Sequence, residues 1–210
     1  MPYAVKAMPR PKSLTTTALA AAALAVVDRD GLDALSMRAV AAELGMGTMS
    51  LYRYVADREE LEALAAELVL STVDTSPPRR ASWDEQVAVL VERLRAAVGE
   101  HPRAVPLTTA HRHRCPSALR WAEAVLGVLT RAGFDGAERA IALRALLGYV
   151  IGAIELEHRG PLDGPGTTAM AGLGEGFPLL AETAGAARGI DADEEFRRGL
   201  AVVLRGLRRG

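Results

Sequence analysis

The chain has 210 residues, of which 50% are hydrophobic and only 4% aromatic, with 25 Lys and Arg against 26 Asp and Glu for a formal net charge of −1. Such a length holds one sizeable domain or two small ones, and the Ala/Leu/Val-rich balance predicts an all-α protein with almost no strand. The charge excludes a protein that coats nucleic acid indiscriminately, the single Cys115 excludes an internal disulfide, and the longest apolar run, Ala145 to Ile154, is about half of what a bilayer requires.

No secretion signal is legible, so the expected compartment is the reducing cytoplasm. Met1 to Leu14 carry Lys6, Arg10 and Lys12, three prolines and no acidic residue. They are expected to form a mobile basic arm able to reach phosphates or a minor groove, with an incidentally charged tail as an equal reading. The first helix starts at Thr15 as N-cap, with Leu14 and Leu19 as its hydrophobic staple, and places Leu19, Ala22, Ala23, Val26 and Val27 on one face before Gly31.

Leu35 to Glu60, LSMRAVAAELGMGTMSLYRYVADREE, reads as two short helices at a sharp angle with a third beginning behind them. Ser36 is the N-cap of the first, stapled by Leu35 and Val40, and Gly45 supplies the left-handed conformation that ends it. The second spans Gly47 to Tyr54. Leu51 and Val55 form its inward edge and leave Thr48, Met49, Ser50, Tyr52, Arg53 and Tyr54 largely outward. Two helices joined by a short Gly-containing turn make a helix-turn-helix, whose second member can enter a major groove. Hydroxyls and a guanidinium suit phosphates and base edges; an ordinary αα-hairpin with a polar face is the plainer alternative. Asp57 with Glu60 forms a capping box for the next helix, whose apolar face is Leu61, Leu64, Ala65, Leu68 and Val69, with Arg58 in its first turn.

TSPPRRA, residues 75–81, is the predicted boundary between a domain of residues 1–74 and one of residues 75–210. Ser82 with Glu85 caps a helix carrying Val87, Leu90, Val91, Leu94 and Val98, stopped by Gly99 and Pro102. His101 to Pro116 is the least regular stretch. Its His111, His113 and Cys115 are metal-ligand types in alternation, but Arg112 and Arg114 would repel a cation and no fourth ligand follows, so no metal is expected.

Ala118 to Ala132 is expected to bury Leu119, Ala122, Leu126 and Leu129, with Trp121 and Glu123 off the centre of the stripe. Asp135 with Glu138 reads as a capping box for a helix running to about His158, whose central ALLGYVIGAI is apolar nearly all round. Such a helix needs cover on two sides, its own core and a second subunit, and Gly148 and Gly152 would permit close approach. Arg159 to Gly176 is expected to be a loop without regular helix, and Pro178 to Ala184 a short helix. Asp191 with Glu194 caps the last helix, with Phe196, Leu200, Val203, Leu204 and Leu207 as its stripe and Arg205, Arg208 and Arg209 towards its C-terminus.

The run LSMRAVAAELGMGTMSLYRYVADREEL resembles the DNA-binding domain of TetR-family transcriptional regulators, nearest the tetracycline-repressor branch, with the match closest from Thr15 to Leu68. The resemblance implies an N-terminal three-helix helix-turn-helix domain followed by a helical ligand-binding and dimerisation domain. By matching position it turns Arg38, Thr48, Met49, Ser50, Tyr52, Arg53, Tyr54 and Arg58 towards DNA. Chemistry then assigns base edges to Arg53 and Thr48, phosphates to Tyr52, Tyr54, Ser50 and Arg58, and either to Arg38.

The expected function is a homodimeric repressor on a palindromic double-stranded operator, released by a small-molecule effector, with no cofactor, no enzymatic activity and no membrane partner. Polar and aromatic residues available to the effector are His111, His113, Trp121, Arg144, Tyr149, Glu155 and His158. Where tetracycline repressors hold the drug-bound metal with a carboxylate, this chain has Leu156, which speaks against tetracycline itself. The alternatives are a regulator without a small-molecule ligand and a helical carrier or enzyme whose N-terminal unit serves only packing.

Overall fold

A computed structural model describes residues 14–174 and 176–207; the basic arm with Lys6, Arg10 and Lys12, and Arg208 and Arg209, lie outside the described residues. Among the described residues the chain is helical, with no strand. The helices are α1 (Thr16–Asp30), α2 (Met37–Glu43), α3 (Thr48–Leu51), α4 (Arg58–Leu70), α5 (Trp83–Gly99), α6 (Val105–Ala110), α7 (Pro116–Arg131), α8 (Gly136–Arg159), α9 (Pro165–Ala171), α10 (Pro178–Ala187) and α11 (Ala192–Leu207).

Local chemistry sets most of the helix starts. The Thr15 hydroxyl accepts from the Ala18 N–H at 3.1 Å, the Ser36 hydroxyl from Ala39 at 3.1 Å, the Asp57 carboxylate from Glu60 at 2.9 Å and the Asp191 carboxylate from Glu194 at 2.7 Å. Each satisfies a first-turn donor that the helix itself cannot. Glu60 reaches back to the Ala56 N–H at 2.7 Å, one residue before the cap, while Glu85 accepts from both the backbone N–H and the hydroxyl of Ser82 at 2.8 Å. Asp135 stands at the N-cap of α8, yet its side chain makes no capping hydrogen bond, so the predicted box is absent there.

Gly45 (φ +64°) and Gly133 (φ +90°) close α2 and α7 in the same way. In each, the glycine N–H bonds the carbonyl three residues back (Ala42, Thr130) and the next N–H bonds the carbonyl five back (Ala41, Leu129), all at 2.9–3.0 Å. This is the Schellman arrangement, which needs the left-handed φ that glycine takes at no steric cost.

Three stretches depart from the expectation. Residues 101–116 hold a 3₁₀ turn (Pro102–Ala104) and α6, and α9 lies within the predicted loop of 159–176. Pro102, Pro106 and Pro165 occupy first-turn positions, where no N–H is required, so they start these elements instead of breaking them. α7 is rotated from its predicted stripe: Trp121, Val125, Val128 and Leu129 are buried, while Leu119 is exposed. The Trp121 indole N–H donates to the Leu90 carbonyl at 2.8 Å, and burying that large ring with its donor satisfied outweighs burying Leu119.

The core is continuous. α1 to α4 enclose Leu19, Ala23, Val26, Val40, Leu51 and Leu61, and α5, α7, α8 and α11 enclose Leu90, Trp121, Leu129, Leu146, Ile154 and Phe196. Two latches join the halves. His101 meets Asp28 at 2.7 Å, and Arg103 donates to the Asp28 and Arg29 carbonyls at 3.2 and 2.6 Å, placing a cation at the C-terminus of α1. The second runs along α4, where Glu62 meets His111, Glu59 meets Arg114, and Glu67 accepts from the Ser117 N–H and hydroxyl.

Candidate nucleic-acid interface and cavity

α3 is a single regular turn, shorter than the Gly47 to Tyr54 helix expected, and continues as hydrogen-bonded turns: Tyr54 N–H to the Leu51 carbonyl at 2.9 Å and Val55 N–H to the same carbonyl at 3.3 Å. Leu51 and Val55 are buried beneath it. That anchoring turns Met49 (80% exposed), Tyr52 (49%) and Tyr54 (39%) to solvent, an arrangement that costs apolar exposure without any packing return. Arg53 is exposed with its guanidinium 6.0 Å from the Tyr54 ring centre, Thr48 and Ser50 are half-buried, and Arg38 is exposed on α2.

The charges around this face are uneven. Between residues 14 and 74, four arginines (Arg29, Arg38, Arg53, Arg58) stand among ten Asp and Glu, a balance of 4 − 10 = −6. Arg29 is spent on Asp30 and Glu43 at 3.0 and 2.9 Å. Arg58 lies against Glu62 at 2.7 Å and donates to the Leu32 carbonyl at 3.2 Å. Arg38 and Arg53 make no ion pair among the described residues. Of the two cations between residues 14 and 74 that make no ion pair, Arg53 stands beside the exposed Tyr52 and Tyr54, and Arg38 is exposed on the preceding helix α2.

A cavity of about 440 Å³ opens between α5, α6, α7 and α8. Its wall is built from Leu94, Val98, Trp121, Leu147, Ile151 and Ile154, with Leu119 and Ala122 added by the rotation of α7. Its polar groups are Thr108, Thr109, Arg112, His113 and Arg144. Of the seven residues that the sequence offers to an effector, His113, Trp121 and Arg144 line this space and the other four do not.

The other four are occupied elsewhere or lie outside it. His111 is buried with Nε2 at 2.9 Å from Glu62, and its Nδ1 is buried without a partner. Tyr149 donates its hydroxyl to the Phe196 carbonyl at 2.7 Å, tying α8 to α11. Glu155 pairs with Arg159 at 2.8 Å, and His158 is exposed. Helical geometry explains the division: Tyr149 lies on another side of α8 from Arg144, Leu147 and Ile151, whereas Glu155 and His158 share their side but follow Ile154, the last α8 residue that lines the cavity. Thr108, Thr109 and Arg112 escaped notice because the segment holding them read as irregular. Pro106 at the second position of α6 was the signal that could have found them.

His111, His113 and Cys115 diverge: His113 faces the cavity, His111 faces Glu62, and the Cys115 thiol points to the Ala63 carbonyl at 3.7 Å. Burial, reinforced by the Glu67 carboxylate, pushes the Cys115 thiol up to about 11. Among the described residues no three His, Cys, Asp or Glu side chains gather as a metal site, and no helix is long and apolar enough to cross a membrane.

Residues 19–64 match the model of the bacterial regulatory proteins of the tetR family, and residues 76–210 that of the tetracyclin repressor-like C-terminal domain. The chain is 33% identical over 144 residues to an HTH-type transcriptional regulator of Saccharopolyspora erythraea, covering 69% of this chain and 61% of that one. It is 35% identical over 150 residues to the HTH-type transcriptional repressor DrrR1 of Streptomyces coeruleorubidus, covering 69% and 54%. The chain thus spans about three-fifths and half of those two relatives. Among solved structures it is similar to the TetR family protein ActR of Streptomyces coelicolor in complex with (S)-DNPA, at 30% identity, with a TM-score of 0.79 over 94% of this chain and 98% of that one. With both of its halves matched, one by a model spanning most of the chain, this protein belongs to the TetR family of transcriptional regulators.

Proposed function

We propose that the chain is a cytoplasmic repressor that binds a palindromic operator as a homodimer, leaves it when a small molecule fills the cavity, and catalyses no reaction. The observation that carries this is the outward side of residues 48–54, where exposed Tyr52 and Tyr54 and the unpaired Arg53 coincide in an otherwise acidic stretch, with Arg38 exposed on the helix before it. A unit kept only for packing would not leave these aromatics in water, which disfavours the carrier reading. Arg53 and Thr48 read base edges, Ser50, Tyr52 and Tyr54 hold phosphates, and Met49 is placed to touch a thymine methyl. Arg58, held by Glu62 and the Leu32 carbonyl, positions the start of α4 and reaches a phosphate only as a secondary contact.

The second copy fits the outer sides of α8 and α11, within the domain of residues 75–210, where Ile141, Leu156 and Val202 are exposed and Gly148 and Gly152 allow close approach. A two-fold pair would set the recognition turns about 34–36 Å apart, one turn of duplex. The cavity favours control by a ligand over control by a protein partner alone, and ActR in complex with (S)-DNPA supports that choice. Leu156, 60% exposed, faces away from the cavity, so a carboxylate for a drug-bound metal is lacking at this position.

Coupling runs through α4. His111, next to the cavity residues Arg112 and His113, holds Glu62, which holds Arg58, which donates to the Leu32 carbonyl between α1 and α2. A ligand that shifts residues 111–113 therefore pulls on the helix that seats the helix-turn-helix, and it acts by its unequal affinity for the two arrangements. The test is Tyr52→Ala in gel-shift and sizing experiments on DNA flanking the gene. The expected result is loss of operator binding with an intact dimer; normal operator affinity would overturn the assignment.

A further inference from the structure

The cavity is apolar except at one class of group. Thr108 and Thr109, its uncharged polar residues, both donate their hydroxyls to the Val105 carbonyl, at 2.9 and 3.0 Å, so neither hydrogen is free for a ligand. What remains is basic: Arg112, His113 and Arg144. No Asp or Glu lines the space, and Arg144 and His113 have no hydrogen-bond or ion-pair partner among the described residues. Arg112 spends one N–H on the Thr109 carbonyl at 2.6 Å, which fixes the side chain at the end of α6 and leaves its other donors available. In a chain with 26 acidic residues to 25 basic ones, two exposed arginines lining one apolar cavity without a carboxylate is a selective arrangement.

Resting on the reading of this cavity as the effector site, we infer that it takes a small molecule with a carbon-rich, ring-sized body and an anionic headgroup such as a carboxylate. The body lies against Trp121, Leu94, Leu147 and Ile151, and the headgroup takes the unused donors of Arg144 and Arg112. The volume, about 440 Å³, falls within the roughly 300–1,000 Å³ of small-molecule pockets. Arg112 and Arg144 are exposed at the mouth of the cavity, so a neutral ligand leaves them hydrated and gains nothing from them, an anion gains charge-assisted hydrogen bonds, and an amine meets repulsion.

The experiment uses the full chain and three probes with one ring system: 2-naphthoate, 2-naphthamide and 2-naphthylmethylamine, each displacing the fluorescent neutral reporter N-phenyl-1-naphthylamine. The expected order is naphthoate about tenfold or more tighter than naphthamide, with the amine weakest. Arg144→Met, which keeps an apolar stem, should bring naphthoate to within about twofold of naphthamide without lowering the melting temperature. Equal binding of acid and amide, or an unchanged preference in Arg144→Met, would overturn the anionic headgroup while leaving the cavity reading intact. If the reporter fails to bind, or binds equally to Ala122→Trp, in which an indole fills the cavity, the effector-site reading falls and the headgroup inference with it.

Discussion

The recognition face and the cavity each present arginines without carboxylate partners, but in opposite settings. All four are exposed, but Arg38 and Arg53 stand on an open surface around which the sequence is acidic, whereas Arg112 and Arg144 stand at the mouth of an apolar cavity. On the open face each charge is screened by salt, so affinity must come from several contacts on two subunits at once. At the cavity the apolar walls would hold the body of a ligand and so keep its headgroup beside the two arginines, which lets a single anion use both. The same residue type therefore suits a polyanion in one region and a single small anion in the other.

Breaking the two regions separately gives the largest effect. Arg38→Ala with Arg53→Ala should weaken operator binding more than a hundredfold, taking about 1–3 kcal/mol for each guanidinium removed, and leave the naphthoate titration unchanged. A gel shift across a salt series reads it, and the slope against salt should become shallower by about one for each phosphate that no longer meets a guanidinium. Arg144→Met should do the reverse, with operator affinity kept in the absence of ligand.

Next in size is the loss of stability from Gly199→Ala. A Cβ there would collide with the Tyr149 ring and hydroxyl, which donates to the Phe196 carbonyl, so the packing of α8 on α11 must open. Overpacking of this kind costs about 1–3 kcal/mol, measurable as a lower denaturant midpoint, and both binding sites should survive in the folded fraction.

Glu62→Ala sharpens the comparison by cutting the link between the regions. It frees Arg58 and leaves His111 without its partner, so the effect of ligand on operator affinity should shrink several-fold while each is still bound alone. Paired anisotropy titrations, with and without ligand, measure that coupling.

The smallest effect concerns Cys115, whose folded thiol is pushed from 9.0 up to about 11. Below pH 9 the thiol is protonated in folded and unfolded chains alike, and its contribution to stability is fully present. As the pH climbs from 9 towards 11 the unfolded chain ionises first, so stability falls across that window. Alkylation of the native protein at pH 8 should be far slower than that of the unfolded chain, as a timed iodoacetamide reaction would show.

How much of this was legible in the sequence depends on the range of each interaction. The caps at Thr15, Ser36, Asp57 and Asp191 were readable because a side chain and the N–H it serves lie three residues apart. Asp135 shows the limit: the same pattern is present, and the side chain does not cap. α6 and α9 were missed although Pro106 and Pro165 mark helix starts, since a proline between apolar segments reads equally as a breaker. On α7 the period marks one broad apolar face but not which edge of it is buried deepest, and the edge with Trp121, Val125 and Val128 is buried in preference to that with Leu119. α8 is apolar on more than one side, which leaves period alone without a preferred direction.

By itself the sequence determined the all-helical class, the helix-turn-helix with Leu51 and Val55 turned inward, and the outward set from Thr48 to Tyr54. These follow from periodicity and capping within a few residues, where the chain has little freedom to do otherwise. Only the tertiary structure decided that Trp121 turns into the core and borders a cavity, that His111 serves Glu62 instead of a ligand, and that Arg112 and Arg144 line the same space. Those outcomes depend on which helices pack together and at what rotation, and that choice is made by the summed burial of residues far apart in the chain.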